Sequence, residues 1–202
     1  MTESHHLGCR HGPLEPNTRL KLIDAAVELF AANGYEATTV VQIAAQAGVS
    51  KMTFFRHFAD KREVLFAGQA EFVELLRDSV SRGPKGAGAL AVAAAAVTEL
   101  AAVFPVERQA PTARLNAVVA SHPDLRERSA YKRALLTAAL EGALLERQVP
   151  AATAGVAADV AVRALHDAFD RWAEPGQKRS LPELIGQALG ELTQAATELV
   201  GH

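Results

Sequence analysis

Three helix-start signals lie close together between residues 39 and 63, and they constrain the fold more than any other feature. They are a T-x-x-Q motif at 39–42, Ser50, and a D-x-x-E motif at 60–63. Serine, threonine and aspartate side chains cap the free amide groups of a helix, and a glutamine or glutamate three residues later completes the capping box. Gly48 supplies a turn between the first two starts. The sequence predicts a short helix, a glycine turn, a second short helix and then a longer one.

The second of these helices lies within GVSKMTFFRHF, residues 48–58. At about 100° per residue, Phe54 and Phe58 project to within about 40° of each other and are predicted to be core. The residues predicted to lie on the opposite, exposed side are Met52, Thr53 and Arg56.

Short helix, turn, short helix is the arrangement that presents a second helix to the DNA major groove. Arg56 suits a guanine edge, and Met52 suits a thymine methyl group. Lys51 and Lys61 stand where they could meet phosphates, although a solvated helix start is the alternative for Lys61. Exposed apolar side chains often contact nothing, so Met52 and Phe55 face either DNA or solvent.

The charge around this helix is locally positive. Four cationic residues, but only one acidic residue, lie between Thr38 and Arg62, which gives +3. The whole chain carries −2, which argues against general coating of nucleic acid. The sequence therefore predicts a localised DNA contact.

The segment TTVVQIAAQAGVSKMTFFRHFADKREVL, preceded by LIDAAVELFAANGYEAT, resembles the DNA-binding domain of the tetracycline-repressor (TetR) family. The resemblance covers roughly residues 19–66, about a quarter of the chain. It implies a homodimeric repressor that binds a palindromic double-stranded DNA operator. It also implies a larger helical C-terminal domain that holds a small-molecule inducer and forms the dimer.

Residue by residue, the resemblance places Thr39 near a phosphate and the exposed side of the second helix against bases or backbone. Phe55 stands where the family most often has tyrosine, so that hydroxyl is missing, and Val41 is apolar where some members have a polar contact. The predicted DNA-binding residues are Thr39, Lys51, Met52, Thr53, Phe55, Arg56, His57 and Lys61.

Composition predicts an all-α protein, because hydrophobic residues make up 49% of the 202 residues and aromatic residues only 5%. We expect a mobile tail over residues 1–15, a three-helix helix-turn-helix DNA-binding domain over 16–62, and a larger helical bundle for ligand binding and dimerisation over 63–202. The single cysteine and the lack of a signal segment predict a cytoplasmic protein, and no apolar run is long enough for a membrane span.

Eight or nine helices are expected. One helix from Lys61 to Val80 would link the two domains and act as a lever, and residues 81–88, SRGPKGAG, would form a hinge between them. The other predicted helices cover about residues 17–33, 39–47, 51–58, 89–104, 106–120, 123–148, 151–172 and 181–200.

The candidate effector pocket consists of large or polar residues on alanine-rich helices. Its mostly apolar character favours a hydrophobic effector, and the segment from SHPDLRER through HDAFDRWA, residues 121–173, weakly resembles actinobacterial members of the family, some of which respond to acyl thioesters. Each residue could equally be core or surface. The candidates are Phe72, Phe104, Asn116, Tyr131, His166, Phe169 and Trp172.

The last two helices are predicted to form the dimer interface, because they carry more apolar surface than one short bundle needs. An intramolecular core is the alternative. The candidate interface residues are Val160, Ala164, Leu184, Ala188 and Leu192.

No nucleophile motif, phosphate-binding glycine loop or HExxH motif occurs in the sequence, so no enzyme, cofactor or metal is predicted. The tail sequence HHLGCRH carries four potential metal ligands but has no scaffold or second half of a site. Two rival classes remain: a helical enzyme, and a helical scaffold or ligand-binding protein that no longer binds DNA.

Overall fold

The computed structural model describes residues 16–201, and within that range all regular secondary structure is helical. Ten α-helices and one short 3-10 helix, Val106–Arg108, follow in sequence. The helices are α1 Pro16–Asn33, α2 Val40–Gln46, α3 Lys51–His57, α4 Lys61–Leu65, α5 Gln69–Arg82, α6 Ala89–Ala102, α7 Gln109–Ser121, α8 Pro123–Glu146, α9 Ala151–Trp172 and α10 Leu181–Val200. The predicted fold class is confirmed.

The N-terminal helices α1–α4 enclose a small core of their own. Phe30, Ile43, Phe54 and Phe58 are buried there, and the cluster continues through Phe66, beyond the predicted domain boundary at residue 62. Two residues from the C-terminal half, Val118 of α7 and Leu125 of α8, join the same cluster. The helix-turn-helix unit is therefore packed directly onto α7 and α8.

The C-terminal half is a bundle of α5, α6, α8, α9 and α10, in which α9 packs against α6, α8 and α10. Alanines at the contacts let the helix axes approach closely. On α9 the buried alanines are Ala154, Ala157, Ala158, Ala161, Ala164 and Ala168. Segment α6 is buried on several sides, as its alanine-rich sequence predicts.

The predicted continuous helix from Lys61 to Val80 is wrong. Helix α4 ends at Leu65, and α5 begins at Gln69 after Gly68, which has a φ of 87°. A side chain at Gly68 would be strained at this φ, and its Cβ would lie 3.2 Å from the Phe72 ring. The lever is therefore two helices joined at a kink.

The predicted hinge at residues 81–88 is also wrong. Its first two residues end α5 and the rest is a loop from α5 to α6, and both helices belong to one core. Arg147 fixes this loop, because its guanidinium donates to the carbonyl oxygens of Val80 at 2.9 Å, Gly83 at 2.9 Å and Pro84 at 2.7 Å. The segment is an internal connection held to α8.

No single helix in the described part of the chain is long and apolar enough to cross a membrane, although α6 and residues 106–121 pass that test as a pair bent by 79°. Over residues 16–201 there is no group of three or more histidine, cysteine, aspartate or glutamate residues that could hold a metal. The predictions for the tail, residues 1–15, lie outside the described residues.

Candidate nucleic-acid interface and interior cluster

The three predicted helix caps are all present. Thr39 Oγ1 accepts from the Gln42 backbone N–H at 3.3 Å, and Gln42 Oε1 accepts from the Thr39 N–H at 2.8 Å. Ser50 Oγ accepts from the Thr53 N–H at 3.0 Å. The side chain of Asp60 caps α4 in the same way. These caps fix where α2, α3 and α4 begin, and so fix the orientation of α3.

The two faces of α3 separate as the helical phase predicts. Phe54 is 0% exposed and Phe58 is also buried, whereas Met52 is 77% exposed and Phe55 is 48% exposed. Arg56 is exposed on the same outward side. The outer face of α3 therefore combines a guanidinium with two apolar side chains.

The cations on this face are available to a ligand. Within the described residues, neither Lys51 nor Arg56 makes a hydrogen bond or ion pair, although Lys51 Nζ lies 5.8 Å from the centroid of the Phe55 ring. Thr53 is partly buried, and its hydroxyl lies 3.0 Å from that of Ser50. Thr39 is exposed at the start of α2.

Lys61 has a structural role that the sequence did not indicate. Its Nζ donates to the carbonyl oxygens of Tyr35 at 2.7 Å, Glu36 at 3.3 Å and Thr38 at 3.1 Å, and lies 4.3 Å from the centroid of the Tyr35 ring. These bonds hold the loop between α1 and α2 against α4. They also compete with the predicted phosphate contact, because an ammonium group has only three hydrogens to donate.

His57 is suited to hydrogen bonding rather than to charge pairing. Burial lowers the pKa of its imidazole, and the charges of Arg56 and Arg19 lower that pKa further. The ring is therefore neutral at pH 7, and its Nε2 atom is buried without a partner among the described residues.

The first comparison with known proteins matches this N-terminal unit. Residues 22–67 match the family described as bacterial regulatory proteins, tetR family. The chain carries a TetR-family DNA-binding domain. A curated relative, the HTH-type transcriptional regulator TcmR of Streptomyces glaucescens, is 62% identical over 47 residues, which are 23% of this chain. The chain spans about a fifth of the length of TcmR, 21%.

Solved structures show that the fold extends beyond the TetR-family domain. The transcriptional regulator FadR from Bacillus subtilis, in complex with stearoyl-CoA, has a TM-score of 0.60 and 22% identity, over 86% of this chain and 96% of that chain. Thermus thermophilus FadR, in complex with lauroyl-CoA, has a TM-score of 0.55 and 24% identity, over 87% and 93%. At these identities the likeness concerns the fold alone.

Four of the predicted pocket residues form one chain of aromatic rings in the C-terminal bundle. The ring centroids of Phe72 and Phe104 are 5.6 Å apart, those of Phe104 and Phe169 are 4.9 Å apart, and those of Phe169 and Trp172 are 6.2 Å apart. Trp172 is buried in the core, whereas the three phenylalanines are partly buried. The structure brings these four residues together, although they come from α5, α9 and the segment after α6.

The other three predicted pocket residues lie on three different helices. His166 lies on α9 one turn before Phe169, with its Nε2 atom buried and unpaired among the described residues. Tyr131 is exposed and lines an open cleft of about 430 Å³ between α4 and α8, together with Arg62 and Arg128. Asn116 lies on α7, which packs chiefly against α1. Tyr131 and Asn116 are therefore not part of the aromatic chain.

Lys132 lies beside the aromatic chain, although it is not among the pocket residues predicted from the sequence. Its Nζ lies 5.1 Å from the centroid of the Phe72 ring. Burial, and then the charge of Arg128, lowers the pKa of Lys132 to about 8. The only signal in the sequence was its position one helical turn before Leu136, which is buried.

Three of the predicted interface residues belong to the core of the chain itself. Ala164, Leu184 and Ala188 are buried within one chain, because α9 and α10 pack on each other and on α6. Placing these three side chains in a dimer interface was wrong. Val160 and Leu192 are partly exposed and stay candidates.

Four side-chain contacts among the described residues join the TetR-family domain to the C-terminal half, and two of them are the ion pairs Arg19–Glu71 and Arg108–Asp24. Arg128 of α8 donates to Glu63 of α4 at 3.0 Å, and the pair is partly buried. His122 lies 2.6 Å from Glu36 in the loop after α1. With Val118 and Leu125 in the N-terminal core, these contacts make a mixed polar and apolar junction.

Proposed function

We propose that this protein is a ligand-responsive transcriptional regulator that binds a palindromic DNA operator as a homodimer, by default as a repressor. The observation that supports this most is the outward face of α3, where unpaired Arg56 stands beside Met52 and Phe55 while Phe54 is buried. A helix with this face is suited to the major groove, where arginine can make two hydrogen bonds to guanine. The 62% identity of the matched segment to TcmR supports the same role.

The test is selection of bound fragments from a random pool of double-stranded DNA, with the wild type and Arg56→Ala. Selection of a palindrome is expected, and Arg56→Ala should lose preference at one position in each half-site, with affinity falling roughly 10-fold to 100-fold. Arg77→Ala is the matched control, because Arg77 is an exposed arginine on α5. Failure of a folded dimer to enrich any site at low salt would favour a ligand-binding scaffold instead.

The homodimer rests on apolar side chains that α9 and α10 leave exposed. Val156 is 65% exposed on α9, and Leu199 and Val200 are exposed at the end of α10. Pairing α9 and α10 with those of a second copy would cover these side chains and set the distance between the two α3 helices. DNA requires about 34–36 Å, or a multiple of it, between two such helices.

Dimerisation can be tested by sedimentation of Val156→Glu. A charge in a covered apolar interface is costly, so we expect this variant to sediment as a monomer at concentrations where the wild type is a dimer. Val106→Glu is the control, because Val106 is similarly exposed, at 68%, but lies outside α9 and α10. A monomeric wild type at micromolar concentration would contradict the proposal.

The effector is proposed to enter the C-terminal bundle at the aromatic chain of Phe72, Phe104 and Phe169. Its apolar rings suit a ligand with a hydrophobic body. Two proteins of similar fold, the FadR proteins of Bacillus subtilis and Thermus thermophilus, were solved in complex with acyl-CoA molecules, which also have a hydrophobic body.

The signal would pass through the junction of α4 and α8. Arg128 lies on α8 one helical turn before the partly buried Lys132, and it forms the ion pair with Glu63 of α4. A ligand bound beside Lys132 would therefore act close to the DNA-binding domain. Glu63→Gln and Arg128→Gln, alone and together, should weaken the coupling between effector and operator binding non-additively. Additive effects in that double-mutant cycle would place the coupling elsewhere.

A further inference from the structure

The interior cluster consists of Lys132, His166 and the aromatic chain, and its one cation, Lys132, has no ion-pair partner among the described residues. Lys132 makes no hydrogen bond or ion pair within the described residues, and its ammonium faces the Phe72 ring. Arg128 lies one turn earlier on α8. A desolvated cation without a partner is costly, and proteins usually pair it.

His166 adds a second unmatched group across the bundle on α9. Its pKa is lowered to about 4 by burial first, then by the charges of Arg133 and Lys132, against an opposing effect of Asp167. The imidazole is therefore neutral at pH 7, and its buried Nε2 atom lacks a hydrogen-bond partner in the described part of the chain. One buried polar atom, a helical turn from Phe169, and one desolvated ammonium, beside Phe72, thus lack partners in the described part of the chain.

We propose that this cluster binds an organic anion with an apolar body, a carboxylate or similar singly charged head, held by Lys132 and hydrogen-bonded by His166. The rings of Phe72, Phe104 and Phe169 contact the apolar body. The proposal rests on the proposed effector site and adds the charge of the ligand. A neutral hydrophobic ligand would leave the ammonium desolvated and unpaired, and a cationic ligand would add repulsion from Lys132, Arg128 and Arg133.

The test uses two fluorescent probes with the same aromatic body. 1-Anilinonaphthalene-8-sulfonate carries one negative charge, and N-phenyl-1-naphthylamine lacks the sulfonate. We expect the full chain to bind the anionic probe at one molecule per subunit and at least tenfold more tightly than the neutral one. Competition should follow the same rule, with decanoate displacing the anionic probe and decanol displacing it at least tenfold less well.

Variants of Lys132 decide whether the charge matters. Lys132→Met should lower the affinity for the anionic probe at least tenfold and change the affinity for the neutral probe by less than about threefold. Lys132→Arg should keep most of the affinity for the anionic probe. Lys85→Met is the control, because Lys85 is exposed in the loop before α6. Circular dichroism of each variant checks that the helices are intact.

The pH dependence gives a second measurement on the wild type. Because the pKa of Lys132 is about 8, affinity for the anionic probe should fall as the pH rises from 7 to 9.5, and Lys132→Met should show no such fall. The other charged groups around this site are Arg128, which acts on Lys132, and Arg133 and Asp167, which act on His166.

Equal binding of both probes, or an unchanged affinity in Lys132→Met, would overturn the proposal, as would the absence of binding to either probe. None of these measurements uses DNA. Failure to find an operator, with the anion bound as described, would instead reject the regulator and keep the anion site.

Discussion

Two lysines of this protein each lie beside a phenylalanine ring, but in opposite surroundings. On α3, Lys51 Nζ is 5.8 Å from the Phe55 ring in solvent, and on α8, Lys132 Nζ is 5.1 Å from the Phe72 ring inside the bundle. At the surface the ammonium is hydrated and free to meet a phosphate. In the interior the same group is desolvated, and its pKa falls to about 8. The comparison shows that burial, not residue type, decides what a cation beside an aromatic ring can bind.

The sharpest contrast between surface and interior is between adjacent residues of α3. Phe54→Ala should lower the free energy of unfolding by about 3–5 kcal/mol, because it opens a cavity in the N-terminal core. Phe55→Ala should change it by less than about 1 kcal/mol, because that ring is half exposed. Urea denaturation at pH 7 measures both. Similar losses for the two variants would show that the outer face of α3 is part of a core.

Replacement by methionine should change the free energy of unfolding at Lys132 but hardly at Lys51. Lys132→Met should raise the free energy of unfolding at pH 7 by about 1–3 kcal/mol, because the folded state disfavours the charged form. Since the folded pKa of about 8 is below the usual 10.5, wild-type stability should increase as the pH rises from about 8 to 10.5. The variant should lack that rise.

Lys51→Met is the matched control for that pair. Its effect on unfolding should be small because Lys51 is exposed, but it should weaken binding to DNA and reduce the slope of log affinity against log salt by about 1. A large loss of stability in Lys51→Met, or any loss of stability in Lys132→Met, would contradict the assignment of Lys51 to the surface and Lys132 to the interior.

Lys61 lies between these extremes, as a cation bound to backbone carbonyls. Lys61→Met should lower the free energy of unfolding by about 1–2 kcal/mol, because the carbonyls of Tyr35 and Thr38 lose a donor. Hydrogen exchange should increase in the loop between α1 and α2. Arg62→Met is the control, since Arg62 is exposed and makes only long contacts with Asp60 and Glu63. An unaffected loop, with weaker DNA binding, would restore the phosphate contact predicted from the sequence.

The smallest expected effect comes from adding one hydroxyl to the outer face of α3. Phe55→Tyr should increase operator affinity by about 1 kcal/mol, roughly fivefold, if the new hydroxyl reaches a phosphate. The slope against salt should not change, because no charge is added. Fluorescence anisotropy with the selected operator measures both. Weaker binding would show that the ring already lies in a tight contact with DNA that has no room for the added hydroxyl.

Local sequence sufficed for the N-terminal domain. The caps at Thr39, Ser50 and Asp60 depend on residues three apart, and the orientation of Phe54 follows from helix geometry. Gly68 shows the limit, since a lone glycine is compatible with a helix or a break. Its left-handed conformation became evident only in the structure.

The C-terminal bundle could be predicted only in outline. Alanine-rich helices have weakly contrasted faces, so the sequence could not show that Lys132 points inward. The same ambiguity affected Ala164, Leu184 and Ala188, because a core and an interface both select small or apolar residues. Arg147 joins segments 63 to 67 positions apart, a contact that no local pattern encodes.

The attachment of Arg147 to the end of α5 has a mechanical consequence. Arg147 holds the end of α5 to α8 at residues 80–84, so the break in the connection between the bundle and the DNA-binding domain is the kink at Gly68. A change of angle at this kink would turn α4 relative to α5, against the packing of α1 on α7 and the Glu63–Arg128 ion pair. Under the proposed function, a small change of that angle would become a larger displacement of α3, and would change the distance between the two α3 helices of a homodimer.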